Sequence, residues 1–267
     1  MPGPVDTSGM NTTPALAAVA AALLAARRGG PLADATALAG AVRDAADAYL
    51  VQDLVLQGLG DNPARCGAWK AGGPSRTATL THAGLPSVGL LASGADASFL
   101  PFNHRMVEAE VALRLARDVT PHAATALQSA PWEDAVRLVD GIAVSIELVD
   151  SRWAQGFAAP ALLKLADAQS HGALVLGSFQ PWQDRDWGKQ VCEVWIGDSS
   201  TRFVGTHSLV HPAWLLPTWL QHATRDGATL PAGTVVTTGT WCGLLAAAKG
   251  DGVRVAFAGI GEASVQL

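Results

Sequence analysis

Glu108 and Glu110 stand one residue apart in Val107-Glu108-Ala109-Glu110-Val111. Apolar residues alternate from Val107 through Ala109, Val111 and Leu113 to Leu115, and this period of two predicts a β-strand. On a strand, positions i and i+2 point to the same face, so the two carboxylates project together. Like charges so close raise each other's cost of ionisation, and a strand that presents both inward needs a reason. A bound divalent cation is one. Hard cations such as Mg²⁺ take oxygen ligands and keep positions open for water or substrate. The alternative, for a bare Glu-x-Glu pair, is that both side chains face water.

The chain has 267 residues, about half of them apolar, which allows one large domain or a domain with a small accessory one. A net charge of −5 and the absence of any Lys/Arg run argue against a nucleic-acid partner. Cys66, Cys192 and Cys242 are far apart and odd in number. They offer neither zinc spacing nor a disulfide framework, and they suit a reducing, cytoplasmic setting. The apolar run from Ala15 to Ala26 has no Lys or Arg before Arg27 and is too short to span a bilayer, so neither a signal peptide nor a membrane segment is expected.

Residues 1–12 mix Pro, Gly, Ser, Thr and Asn and are expected to form a flexible tail. Residues 13–75 are expected to form a helical region. Thr13-Pro14 reads as an N-cap followed by proline at the first helical position, with Leu16, Val19, Ala20, Leu23 and Leu24 at helical spacing. A second helix is expected from about Asp34 to Gln57, closed by Gly58 and Gly60, and Ala71 to Ser75 reads as a loop. Residues 76–267 are expected to form a β-rich catalytic domain. Its strands include Ile142–Val149, a hairpin from Val191–Ile196 to Arg202–Val204, Thr234–Thr238, Val253–Phe257 and Ala263–Leu267. A helix over Pro212–Ala223 should bend or shorten at Pro217.

Several short pieces follow one another in order. They are Ala48 to Gln52, Ala68-Trp69-Lys70, Glu108-Ala109-Glu110, Ile146 to Arg152, Ala166-Asp167 leading to Ser170-His171-Gly172, Thr237 to Thr240, Lys249-Gly250-Asp251 and Phe257 to Gly261. This ordered set resembles the 2-keto-4-pentenoate hydratase / 4-oxalocrotonate decarboxylase family of the fumarylacetoacetate hydrolase superfamily, over about residues 45–267.

The resemblance implies an α+β fold in which an N-terminal helical region packs on a mixed β-roll or barrel. It implies a Mg²⁺ or Mn²⁺ site on Glu108, Glu110 and a third glutamate, which falls on Glu147. Glu147 lies inside an apolar strand, where an ionised carboxylate is costly unless metal-bound or paired, for instance with Arg152 or Lys164. The implied reaction is hydration of a small unsaturated 2-oxo acid through a metal-stabilised enolate. Decarboxylation or C–C cleavage of a related acid is the alternative within enzymes, and a silent subunit serving a related partner enzyme the alternative outside them. A homo-oligomer is expected.

Lys70 is then the positioned cation that holds the substrate carboxylate or relays a proton. Trp69, Leu91, Thr240 and Trp241 lie in or beside the motifs and are expected to wall the substrate pocket. The chain also departs from the family pattern. Acidic residues expected near Ser93-Gly94 are missing, with Asp96 displaced, and the usual Asn-Ala-Ser-Ser-Gly is Ala168-Gln169-Ser170-His171-Gly172. Ser170 and His171 join Lys70 as candidate catalytic residues, His171 as a group that could titrate near neutral pH. No Gly-x-Ser-x-Gly elbow is present, so covalent serine catalysis is not expected.

Overall fold

The computed structural model describes residues 12–267, so the tail expected at residues 1–12 lies, all but its last residue, outside the described residues. Helix α1 (Pro14–Arg27) begins as its sequence dictates. The Thr13 side chain accepts a hydrogen bond from the Leu16 N–H, and Pro14 occupies the first turn. Leu16, Val19, Ala20, Leu23 and Ala26 form its buried stripe.

Helix α2 (Ala45–Leu59) is shorter than its periodicity predicts. Residues 34–44 form turns instead. Asp34 accepts hydrogen bonds from the Thr36 N–H and from the Gln155 side chain, both at 2.8 Å, and these replace helical bonds. Gly40 takes a left-handed conformation at φ 78°, and Asp44 caps the helix through the Asp47 N–H. Gly60 closes α2, whereas Gly58 lies within it, at a crossing where an added Cβ would meet Leu24 at 2.4 Å.

The strands β1 (Ala68–Gly72), β2 (Thr81–Gly84), β3 (Leu90–Ala92), β4 (Ala95–Asp96) and β5 (Met106–Leu115) follow. Ala71 and Gly72 are thus strand, and the predicted loop starts only at Gly73. After α3 (Pro121–Gln128) and α4 (Trp132–Val136) come β6 (Val139–Val149), α5 (Ala161–Ala166), β7 (His171–Leu176), β8 (Gln180–Pro181), β9 (Val191–Ile196) and β10 (Ser199–Val204). The chain ends with α6 (Leu216–Ala223), β11 (Val235–Thr237), β12 (Leu245–Ala246), β13 (Gly252–Phe257) and β14 (Gly261–Gln266). Pro217 sits in the first turn of α6, and Pro212–Leu215 ahead of it is 3₁₀, so proline divides the predicted helix.

Two sheets result. The larger runs β2-β1-β11-β5-β6-β7-β3, with β8 and β12 attached, and the smaller runs β10-β9-β13-β14-β4. Pairs β1/β11, β3/β7 and β4/β14 are parallel and the others antiparallel. This is the α+β roll expected from the sequence. Val107, Ala109, Val111 and Leu113 of β5 and Ile142, Val144, Ile146 and Leu148 of β6 share the main core. A second core joins α1, α2 and α5 around Trp153. The buried Gln52 amide of α2 donates to the Leu165 carbonyl of α5 at 2.7 Å and to the His82 carbonyl of β2 at 3.3 Å, so the N-terminal helices are pinned to the rest of the chain by polar as well as apolar contacts.

Candidate metal centre

Strand parity places the carboxylates. The odd-numbered residues of β5 face the main core, so Glu108 and Glu110 face the other side of the sheet. The antiparallel register sets Glu108 opposite Glu147 and Glu110 opposite Ser145. Directly opposed residues share a face, and the three glutamates therefore converge. One carboxylate oxygen from each lies within 4.8 Å of the others. Glu110 and Glu147 are buried, and Glu108 is half-buried.

The surrounding side chains fix two of the three. The Thr237 hydroxyl and the Gly239 N–H (3.0 Å) both donate to Glu110 Oε2, and Gly239 makes its approach with φ at 100°, a conformation side chains disfavour. Lys70 Nζ lies 2.5 Å from Glu147 Oε1, and His171 Nδ1 lies 3.0 Å from the same oxygen. Glu147 Oε2 is buried with no hydrogen-bond partner.

These contacts set the charges. Burial pushes the Glu108 carboxyl up to about 8, and the neighbouring glutamates add to the shift. Burial and Glu147 likewise push Glu110 up to about 7, against the Thr237 hydrogen bond. Burial would also raise Glu147, but Lys70 and His171 more than offset it and hold this carboxyl below its ordinary range. Burial works to lower Lys70, and the charges of Glu147 and Glu108 win, so it stays above its ordinary value.

The donor set suits a hard divalent cation. It is all oxygen, it is short of positive charge, and it includes a buried carboxylate oxygen with no partner. Glu108, Glu110 and Glu147 are the residues that would hold the ion.

Beside the cluster lies a cavity of about 440 Å³ lined by Lys70, Glu108, Glu110, Gln169 and Thr240 among others. Three residues expected to wall it do not line it. Trp69 follows the parity of β1 and points away from Lys70 into the main core, its indole N–H donating to the Cys66 carbonyl. Leu91, paired with Val175, packs against that core too. Trp241 is 1% exposed and stacks edge-on against Phe257.

Ser170 is buried and does not line the cavity. His171 sits behind Glu147, fully buried, and burial pushes its imidazole down to about 4, so it is neutral near pH 7 rather than titrating there. Ser93, Gly94 and Asp96, where the sequence departs from the family pattern, lie by the smaller sheet and outside this cavity.

Residues 90–267 match the family of the fumarylacetoacetate (FAA) hydrolase C-terminal domain. The chain belongs to this family. 2-Keto-4-pentenoate hydratase 1 of Dechloromonas aromatica (strain RCB) is 32% identical over 164 residues, a match that spans 59% of this chain and only 58% of that protein. The structure of 4-oxalocrotonate decarboxylase from Pseudomonas putida G7, complexed with magnesium and adipate, superposes with a TM-score of 0.79 at 20% identity, covering 96% of this chain and 98% of that one. Fumarylpyruvate hydrolase from Pseudomonas aeruginosa, in complex with Mn²⁺ and pyruvate, gives 0.52 at 17% identity over 74% of this chain and 88% of that one. These likenesses bear out the resemblance and the fold. The relatives are enzymes, and two were solved with a divalent metal.

In this fumarylacetoacetate hydrolase family member, sequence reasoning missed Gln169. Its backbone carbonyl lies 3.4 Å from Lys70 Nζ, and its amide donates to Thr81. Ala168, Gln169 and Ser170 all have positive φ (50°, 55° and 60°), a left-handed run without glycine that no side-chain pattern announces. Behind it, Asp167 accepts hydrogen bonds from Arg152 and Arg27, and Arg27 also donates to the His171 carbonyl. The end of α1 thereby braces the segment that carries Gln169 and His171. The Asp150-Ser151-Arg152 motif was the available signal for that network.

Proposed function

We propose that this chain is a divalent-metal-dependent lyase that adds water to a small unsaturated 2-oxo acid, with Mg²⁺ or Mn²⁺ held by Glu108, Glu110 and Glu147. The observation that carries the reading is the convergence of three carboxylates beside Lys70, with Lys70, Glu108 and Glu110 at the wall of one cavity and Glu147 buried behind it. A bound divalent ion would supply Lewis-acid polarisation of the substrate's 2-oxo group.

The chain's own groups do the rest. Lys70 reaches the cavity wall and is the residue placed to hold the substrate carboxylate and to move a proton. His171 and Lys70 together fix the orientation of Glu147, and Thr237 and Gly239 fix that of Glu110. Homo-oligomeric assembly and a cytoplasmic setting complete the reading. Among the described residues no helix is long and apolar enough to cross a membrane.

One observation favours a second reaction at the same site. Neither His171 nor the Ser93-Gly94 segment lines the cavity, and loss of CO₂ from a second carboxyl placed β or vinylogous to the 2-oxo group leaves an enolate and needs no activated water. The test presents the metal-loaded protein with 2-oxo-4-enoic acids, saturated 2-oxo acids and 2-oxo-3-enedioic acids, whose distal carboxyl is vinylogous to the 2-oxo group. Water addition is the expected outcome, and CO₂ release or C–C cleavage moves the assignment to the alternative. Inertness of a folded protein with every metal and acid leaves a subunit role beside a related partner enzyme.

A further inference from the structure

We propose that Cys242 is a positioning residue of the metal centre: its sulfur accepts the backbone N–H of Ala109 and so fixes how Glu108 and Glu110 are presented. This role rests on the metal-site reading above, and it acts through the two glutamates rather than by contact with an ion.

Strand β5 has a gap in its ladder where these glutamates stand. On one side it pairs with β6 along its whole length. On the other, β11 pairs with Ala112, Leu113 and Arg114, and β12 with Met106 and Val107, so residues 108–111 have no strand partner there. Buried backbone groups still need partners, and the connection between β11 and β12 supplies them.

The Thr238 hydroxyl donates to the Val111 carbonyl at 2.8 Å, and the Trp241 N–H donates to the Ala109 carbonyl at 2.8 Å. The Ala109 N–H donates to Cys242 Sγ at 3.2 Å. Ala109 is the residue between the two ligands. Its N–H belongs to the peptide that follows Glu108, and its carbonyl to the peptide that precedes Glu110. Cys242 and Trp241 therefore hold both peptides of the Glu-x-Glu segment from behind.

The sulfur is itself oriented. Its S–H donates to the Gly243 carbonyl at 3.2 Å, which leaves the sulfur lone pairs for Ala109, and the Thr240 hydroxyl accepts the Cys242 N–H at 3.2 Å. Cys242, Ala109 and Glu110 are all buried, so solvent does not stand ready to replace the bond. An N–H left there without an acceptor is costly, and the strand must shift to relieve it. The same connection sends the Gly239 N–H to Glu110 Oε2, so a shift of β5 against it disturbs a ligand oxygen directly.

Mn²⁺ titrated into the EDTA-stripped protein tests this, followed by calorimetry and by the electron paramagnetic resonance of the bound ion. Cys242→Val keeps the bulk and removes the acceptor, Cys242→Ala removes both, and Cys242→Ser restores an acceptor. Val and Ala should each weaken Mn²⁺ binding by about tenfold and alter the spectrum, while Ser should stay within about threefold of the unaltered protein and keep its spectrum. Full affinity in the Val or Ala variant, or a loss in the Ser variant as large as that in Val, overturns the role of Cys242 and leaves the metal-site reading standing. An unaltered protein that binds no Mn²⁺ overturns that reading and this inference with it.

Discussion

Lys70 Nζ and His171 Nδ1 meet at one oxygen of Glu147, 2.5 and 3.0 Å away, and leave its other oxygen without a partner. The carboxylate is thus ionised, oriented and half-satisfied, which is the state a cation ligand requires.

Glu147→Gln should therefore weaken Mn²⁺ binding by about tenfold or more, since the amide keeps the shape and removes the charge. Titration calorimetry on the EDTA-stripped protein measures this directly. Unchanged affinity would remove Glu147 from the ligand set.

Lys70→Met should separate binding of the ion from turnover. The three glutamates remain, so the metal is retained, while the cation that faces the substrate is gone. We expect kcat/KM with the best substrate to fall by about 10² or more, the usual contribution of a positioned proton-transfer group. Metal content and rate measured on the same sample decide it, and a fully active variant would exclude Lys70 from the chemistry.

Acid should destabilise the fold through the buried histidines His82 and His207. Burial pushes His82 and His207 down to about 4, from an ordinary value of 6.5. Their folded pKa is depressed, so the unfolded chain takes up protons first as pH falls. The stability they contribute is whole above about pH 6.5 and is lost as pH falls towards 4, on the order of 3 kcal/mol for each. Urea midpoints at pH 7, 6, 5 and 4 follow the loss. His82→Gln should flatten the slope, and an unchanged slope would assign the acid sensitivity to other groups.

Val210 is β-branched, 61% exposed and held at φ 64°. That backbone region costs a residue with a Cβ about 1–2 kcal/mol, and little burial is at stake here. Val210→Gly should raise stability by about 1 kcal/mol, after glycine's own entropy cost is set against the relief. Urea denaturation is again the measurement. A loss of stability would show that the backbone strain at Val210 is smaller than glycine's entropy cost.

Local pattern alone determined that Glu108 and Glu110 share a face, because alternation within one strand is a short-range property of the backbone. It determined the Thr13-Pro14 start of α1 for the same reason, since a cap is satisfied within one turn. The ordered motifs pointed to Glu147 and Lys70 as members of the site. That the four side chains meet was decided only by the tertiary structure, through the register that sets Glu108 against Glu147 and the parallel pairing of β1 with β11. Register depends on partners distant in sequence, and a slip of one residue would have sent Glu147 into the core. Parity also decided the pocket walls. Trp69 neighbours Lys70, which lines the cavity, and is turned from it, because adjacency in a strand is opposition across a sheet, while Trp241, in the connection after β11, packs on Phe257 instead. The helix expected from Asp34 failed on the same ground, its turns being held by Gln155, a residue more than a hundred positions away.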